Sequence, residues 1–406
     1  RFKYKIGLTL NYAFPYFILK SVTGYQNLDD RQAIDQDFTS QANSFVIQTQ
    51  RQNQFSQELE MRSKENEKYS WLNGVFGFYN TVNRKVFFTT QKDFKEPAYG
   101  LAFYHQSTVK DLFIEKLSAT LGVRLDIERD KQDYTLWKLT DFAKELSTQL
   151  NDSKSFTQFT PKLSLQYQFD KDNMVYTTVT RGYKTGGFNV SFSSEDERIY
   201  NPEYSWNYEV GAKASAFNGR LQGDVALFYI DWRHQQISHK IPNGQILTNA
   251  GRSYSKGVEL SLKAQPIEQL HLQLSYGYTE AKFREYLYND ADYSGNYTPY
   301  IPRQTMMLGG DYGFNLHSRY IDHLLFSAQY TAIGHQYWNE ANAVGQGFYG
   351  TLNGKVSATK KNFTVDLWIK NATSRDYTAY LFQLGTKYFA QKGKPLTFGT
   401  TISFTL

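Results

Sequence analysis

Three features of this 406-residue sequence predict an all-β fold, specifically a transmembrane antiparallel β-barrel. Apolar and polar residues alternate in long runs, short and long connections succeed one another between those runs, and no window of about 18 apolar residues offers a membrane-spanning helix. A spanning strand needs only about ten residues with alternate ones apolar, so a mean hydropathy of -0.58 is compatible with membrane insertion. Aromatic residues make 17% of the chain and Pro only 9 positions, a composition that suits strands with aromatic anchors.

The alternation starts with the run from Phe2 to Asn11 and recurs to the C-terminus. Leu117, Ala119, Leu121, Val123, Leu125 and Ile127 oppose Ser118, Thr120, Gly122, Arg124 and Asp126. The same pattern fills Lys162–Phe169, Tyr208–Ser215, Val258–Ala264 and Leu270–Thr279. It closes the chain in "LTFGTTISFTL", where Leu396, Phe398, Thr400, Ile402, Phe404 and Leu406 share one parity. Successive side chains of a strand point to opposite faces, so each run carries an apolar and a polar stripe. A sandwich also alternates, but its strands average roughly five or six residues, and runs of about ten to fifteen favour a bilayer-spanning wall.

Tight connections are read at 14–15, 64–68, 169–173, 217–219, 266–269 and 359–362, and long ones near 29–51, 85–95, 129–154, 186–202, 284–302 and 373–395. Outer-membrane barrels alternate periplasmic turns with external loops in this way. About seventeen strands result. If the last strand runs down from a long loop, alternation makes the first strand a downward one too, although single-chain barrels have an even strand count and begin from the periplasm. The expectation is that residues precede Arg1, which stands without an initiator Met or signal peptide.

Chemistry-bearing residues are sparse. The chain has no Cys, which excludes disulfides, zinc thiolates and a thiol nucleophile. The formal charge of +6 is scattered rather than striped, so no nucleic-acid partner is expected. The seven His show no metal-ligand spacing; His234 and His239, an odd number apart, would face opposite sides of a strand and read as polar strand-end residues. No GxSxG elbow supports a hydrolase, no motif calls for a cofactor, and an enzyme is not expected. Arg124, Asp126, Lys162, Glu209, Lys213, Asp224, Glu259, Lys263 and Asp366 fall on the polar parity. So many charges would be costly in a dry core, and they imply either a hydrated wall paired with a plugging domain or a ring around an open pore.

The most distinctive segment is "TRGYKTGGFNV", 180–190, where a β run meets Gly186 and Gly187, which permit conformations that let a strand open into a loop. Together with "LTNAGRSYSKGVELSLKAQP" (247–266), "YIPRQTMMLGGDY" (300–312), "VDLWIKNATSRDYTAY" (365–380) and the terminal strand, it resembles the C-terminal barrel of a TonB-dependent receptor. The resemblance spans essentially all of 1–406, as one partial barrel domain. It implies a 22-stranded barrel of which about 17 strands are present, with the N-terminal plug and first strands absent, in the outer membrane of a Gram-negative bacterium. It implies Tyr183–Asn189 at the outer end of a strand and Ile369–Tyr377 at the start of the last long loop. The family usually ends on an aromatic residue, whereas this chain ends on Leu406 with Phe404 two before it.

The implied function is TonB-dependent import of a scarce, bulky solute, most often a ferric siderophore; cobalamin, a carbohydrate, a porin function, or a soluble all-β binding or carbohydrate-active protein are the alternatives. Partners implied are outer-membrane lipid and lipopolysaccharide, the TonB complex through the absent N-terminal region, and a small-molecule metal chelate. A bulky, often anionic chelate is held by aromatic surface together with a cation, which selects Lys184, Phe188, Asn189, Tyr337, Trp338 and Tyr388 as ligand-binding candidates. Loop aromatics such as these also suit an interfacial girdle.

Overall fold

The computed structural model describes the chain except for residues 37, 39, 41–43, 65–67, 141–142, 242–243, 250, 289, 317, 386 and 406. His317, Leu406 and parts of the connections at 29–51, 64–68 and 129–154 therefore lie outside the described residues. Among those described, seventeen strands belong to one sheet, against about seventeen read from the sequence, and five two-stranded ribbons lie in the connections. Among the described residues, the regular structure that is not strand is a single 3-10 turn at Glu195–Arg198.

The chain divides into two compact units. The first comprises Arg1–Ser164, Thr180–Tyr204 and Gln236–Asn249. Its strands Phe2–Ala13, Phe17–Asp35, Phe45–Ser63, Tyr69–Phe87, Thr90–Val109 and Leu117–Leu139 pair antiparallel, each with the next in sequence. The second comprises Leu165–Val179, Ser205–Gln235 and Ala250–Leu406, and its strands from Leu221–Arg233 to Thr397–Phe404 pair in the same next-neighbour order. Next-neighbour antiparallel pairing is what consecutive hairpins produce, and it puts every second connection at the same end, the end reached by 36–44, 88–89 and 140–143 in the first unit and by 286–303, 334–348 and 371–396 in the second. We call that end the loop end.

Burial is inverted relative to a water-soluble fold. On Leu117–Leu139 the apolar parity is exposed at Leu121, Leu125 and Ile127, whereas Gly122 and Asp126 are buried. On the last strand Phe398, Ile402 and Phe404 are 78%, 65% and 64% exposed. The polar parity holds internal partners: Arg124 pairs with Asp126 at 2.7 Å, and the Tyr176 hydroxyl donates to Glu209 at 2.6 Å. One row of the first unit carries four aromatic residues, Tyr25, Phe55, Tyr79 and Tyr99, directly opposite one another on adjacent strands, flanked by Ile6 and Arg129. The apolar core lies instead near the loop ends, at Phe94, Tyr134 and Phe156 in the first unit and at Phe283, Tyr286 and Trp338 in the second.

Three connections expected to be long loops are largely paired strand, and in 29–51 the strands Phe17–Asp35 and Phe45–Ser63 stay in register from Asp29 opposite Arg51 to Asp35 opposite Phe45. The segment 85–95 is a turn at 88–89 between Tyr69–Phe87 and Thr90–Val109, closed by the Phe88 amide donating to the Thr90 carbonyl at 3.0 Å. In 129–154 the flanking strands continue to Leu139 and resume at Lys144. Beyond the exposed apolar band both faces of these hairpins carry polar residues, so the period-2 signal fades while main-chain pairing goes on.

Candidate functional site

In the first unit, the strand Met174–Lys184 ends and the chain passes through Thr185, Gly186 and Gly187 into a ribbon of Gly187–Phe188 with Ile199–Tyr200. The glycines are required for close approach rather than for a left-handed conformation, since neither has a positive φ. A Cβ on Gly186 would lie 2.5 Å from the Tyr200 carbonyl oxygen, and one on Gly187 would lie 2.6 Å from the Tyr200 hydroxyl. This corrects the conformational reason read from the sequence. The bare backbone lets the loop lie flat against Tyr200, whose hydroxyl pKa is raised by burial and by the charges of Asp130 and Glu96.

Asn189 follows and is 5% exposed. Its Nδ2 donates to the carbonyls of Glu197 at 2.7 Å and Leu247 at 2.9 Å, and its Oδ1 accepts the Leu247 amide at 2.8 Å. Both ends of the amide are thus engaged with main chain, joining 187–200 to the hairpin of Gln236–Ile241 and Gly244–Asn249. Behind it, Arg198 donates through Nε to Gln132 Oε1 at 2.9 Å and through Nη2 to the Gln132 carbonyl at 3.0 Å. Gln132 is fully buried and donates through Nε2 to Glu96 at 3.0 Å, so its amide bridges a cation and a carboxylate. The guanidinium of Arg198 also lies 5.5 Å from the centre of the Phe188 ring. Phe188 is half-buried and Lys184 is exposed.

The two histidines do not share a strand as expected. His234 has a φ of 54°, and the strand breaks there before the hairpin that carries His239. His239 is 7% exposed, and burial lowers its pKa to about 4, which keeps the imidazole neutral.

In the second unit the connections 286–303, 334–348 and 371–396 close on rings. Tyr300 meets Trp338 edge-on at 5.5 Å and stacks on Tyr380 at 5.6 Å, while its hydroxyl donates to the Leu381 carbonyl at 3.1 Å. Burial pushes the Tyr300 hydroxyl up to about 12. Tyr297 stacks on Tyr337 at 5.8 Å, with Lys282 at 4.6 Å and Arg303 at 4.9 Å from its ring centre. Such rings attract cations through their negative faces. His335 packs on Tyr337 at 4.6 Å, and its Nε2 and the Nε of Arg303 are buried without a hydrogen-bond partner among the described residues.

Asparagines clasp these loops too. Asn342 Oδ1 accepts the Tyr297 amide at 2.7 Å and its Nδ2 donates to the Tyr297 carbonyl at 2.9 Å. Asn371, 6% exposed, donates to the carbonyls of Arg375 and Lys394 at 3.0 and 3.1 Å and accepts the Arg375 amide at 2.9 Å. Asn371 thus fastens the start of the last long connection to its end. Sequence reasoning missed this role, although the residue stands inside the "IKNATSRDY" motif; Gln132 and Arg198 carried no signal at all.

Of the candidates, Trp338 is 5% exposed and Tyr337 is half-buried beside it. Tyr388 is 49% exposed on the hairpin Thr378–Leu384 with Lys387–Lys392, opposite Gln383. That hairpin reaches the Trp338 cluster through Tyr380, which lies 5.8 Å from Phe382. Tyr337, Trp338 and the Tyr388 hairpin are therefore gathered in one loop cluster, and Lys184, Phe188 and Asn189 in another, each within its own unit.

A family model described as TonB dependent receptor-like, beta-barrel, matches residues 1–372. The pesticin receptor of Yersinia pestis is 28% identical over 249 residues, 60% of this chain and 36% of that protein. The ferric-pyoverdine M114 receptor PbuA of a Pseudomonas strain is 25% identical over 173 residues, 41% of this chain and 20% of its own length. Among solved structures, the ferric yersiniabactin uptake receptor FyuA from Yersinia pestis superposes with a TM-score of 0.84 at 21% identity, covering 99% of this chain and 61% of that one. BauA, the ferric preacinetobactin receptor from Acinetobacter baumannii, gives 0.74 at 16% identity, covering 99% and 63%. The matched part of the chain thus covers about a third of the length of the pesticin receptor, and the chain covers about three fifths of FyuA.

Proposed function

Because the chain belongs to the TonB-dependent receptor-like β-barrel family, we propose that it is part of an outer-membrane receptor that imports a ferric siderophore. In this reading the exposed apolar parity faces lipid, the loop end faces the outside, and TonB engages parts of the whole protein beyond these 406 residues. The observation that carries the proposal is the second unit's loop cluster, where aromatic faces at Tyr297 and Tyr337 stand beside Lys282, Arg303 and His335. A ferric siderophore is bulky, commonly anionic and rich in conjugated or ring groups, and it is met by aromatic surface with adjacent cations. The names of the matched receptors, for pesticin, ferric pyoverdine, ferric yersiniabactin and ferric preacinetobactin, support the same ligand class.

In the second unit we assign Tyr337, Tyr388 and Arg303 to ligand contact, and in the first unit, as a separate cluster, Lys184 and Phe188, since each is at least partly open to solvent. Asn189 and Trp338 are buried, and we assign them to holding the loops in place. The test is uptake of ⁵⁵Fe by an iron-starved Gram-negative host that lacks its own receptors and expresses the complete protein. Accumulation from a ferric siderophore that disappears on deletion of tonB is the expected result. Equal uptake with and without tonB would identify a passive pore, and no uptake from hydroxamate, catecholate or phenolate chelates would contradict the ligand class.

A further inference from the structure

On the strand Leu117–Leu139 the face opposite the exposed apolar parity carries Asp126, Glu128, Asp130 and Gln132 in succession. The other parity passes from Leu125 and Ile127 to Arg129, Lys131 and Asp133, so Glu128 and Asp130 stand beyond the apolar band. Glu96 joins them from Thr90–Val109, where its Oε1 accepts from Gln132 Nε2 at 3.0 Å. The segment 183–200 packs against this face: the Thr185 hydroxyl faces Glu128, the Tyr183 hydroxyl faces Asp126, and Tyr200 lies near Asp130 and Glu96.

The guanidinium groups around this face are already engaged. Arg124 pairs with Asp126 at 2.7 Å, Arg84 with Glu96 at 3.8 Å, and Arg198 is held by Gln132 and the Phe188 ring. On the strand Lys144–Gln168, Asp152 accepts the Ser153 amide at 2.7 Å, and Lys154 is exposed and enters no ion pair among the described residues. Glu128 and Asp130, both half-buried, are thus left side by side with no cation of their own among the described residues. Asp130 Oδ1 and Thr185 Oγ1 are buried, and neither has a hydrogen-bond partner of good geometry among the described residues. Burial raises both carboxyls, Glu128 further through the charge of Asp130 and Asp130 further through that of Glu96.

We propose that Glu128 and Asp130 share one proton, and that this proton latches the segment 183–187 onto the inner wall through Thr185. With the Glu128 hydroxyl donating to Asp130 Oδ1, that buried oxygen gains the donor it lacks, and the other Glu128 oxygen accepts from Thr185. Release of the proton to solvent leaves two adjacent negative charges beneath a segment that Gly186 and Gly187 hold flat against Tyr200. Their repulsion and desolvation then favour lifting of the segment. A carboxyl raised in the folded state contributes stability that is present at low pH and lost as pH rises through its folded value, so the latch holds in mild acid and opens in mild base. Lys184 and Phe188 lie on this segment, so their placement follows the same proton. The latch itself does not depend on what those two residues contact.

The test is hydrogen exchange of the amides of 183–200 in the complete receptor, corrected for intrinsic rate, at about pH 6.5 and about pH 8.5, a window in which His239 stays neutral. An opening that releases one proton changes by at most about tenfold per pH unit, so protection should fall about five- to tenfold across the window. Glu128→Gln and, separately, Asp130→Asn keep a hydrogen-bond donor between the two side chains without a titrating proton, and protection should stay high at both pH values. Infrared difference spectra of wild type should show one protonated carboxyl at the lower pH that is gone at the higher, and Glu128→Gln should abolish that band. Unchanged protection of wild type, a pH dependence that survives in both variants, or no protonated carboxyl at the lower pH would each overturn the proposal. Should either variant fail to fold by heat-modifiable mobility, the wild-type exchange and infrared readings still decide. A receptor that shows the latch but takes up no ferric siderophore refutes the ligand reading alone, and one that takes it up with no pH-dependent exchange refutes the latch alone.

Discussion

The loop ends of the two units are closed by different physics. In the first, Asn189, Gln132 and Arg198 tie neighbouring segments through amides and one buried guanidinium. In the second, Tyr300, Trp338 and Tyr380 pack rings on one another, with asparagines only at the seams. Hydrogen-bonded closure depends on every partner being present, because a buried group left unpaired costs more than the bond contributed. Ring packing is more forgiving of polarity but sensitive to volume. The first unit's loops should accordingly respond to loss of single polar atoms and to pH, and the second unit's to loss of bulk.

The largest effect is expected at Trp338, where Trp338→Ala removes a buried ring and should destabilise the second loop cluster by about 3–5 kcal/mol. Hydrogen exchange of 296–303 and 378–384 would report it, and unchanged protection there would break the ring-packing side of the comparison. Next, Gln132→Leu keeps the volume but leaves Arg198 and Glu96 without their bridge, at a cost of about 3 kcal/mol. Exchange should accelerate at the Asn189 and Leu247 amides and stay unchanged in 296–303.

A smaller, reversible effect is expected from acid. The pKa of His239 is depressed in the folded state, to about 4 against 6.5 for the free side chain, so folding favours the neutral ring. Its contribution is fully present above pH 6.5 and is lost as pH falls toward 4, amounting to about 1–3 kcal/mol. The hairpin of 236–249 should therefore loosen between pH 7 and pH 5, with His239→Gln removing the dependence. Tyr300 in the other cluster, pushed up to about 12, does not titrate in that window. Parallel loosening of both clusters at pH 5 would show that they do not differ in this respect. Least of all, Tyr388→Ala should leave thermal stability within about 0.5 kcal/mol, because the ring is exposed.

The wall of the fold was legible in the sequence, because strand alternation is local and lipid selects it strongly. Leu121, Leu125 and Ile127 declared their face by spacing alone, and the same alternation gave a count of about seventeen strands against seventeen in the sheet. Legibility failed beyond the apolar band. The hairpin extensions at 29–51, 85–95 and 129–154 pair as strands but carry polar residues on both faces, so they read as loops. The loop aromatics Tyr337, Trp338 and Tyr388 were visible by residue type, yet which of them would be buried was not. Trp338 is covered because Tyr300, 38 positions earlier, folds onto it. Gln132 and Arg198 are 66 positions apart, and nothing in either local sequence signals that they meet.

The central claim, that the loop end takes a ferric siderophore through aromatic faces beside cations, is tested most directly by equilibrium binding to the complete receptor. Tyr337→Ala with Arg303→Gln, compared with wild type by fluorescence quenching on titration with the ferric siderophore that supports uptake, isolates the two chemistries. The account predicts affinity reduced about a hundredfold, corresponding to roughly 2–3 kcal/mol from one stacked ring and one cation, with the fold intact by heat-modifiable mobility. Unchanged affinity in a folded double variant would contradict it.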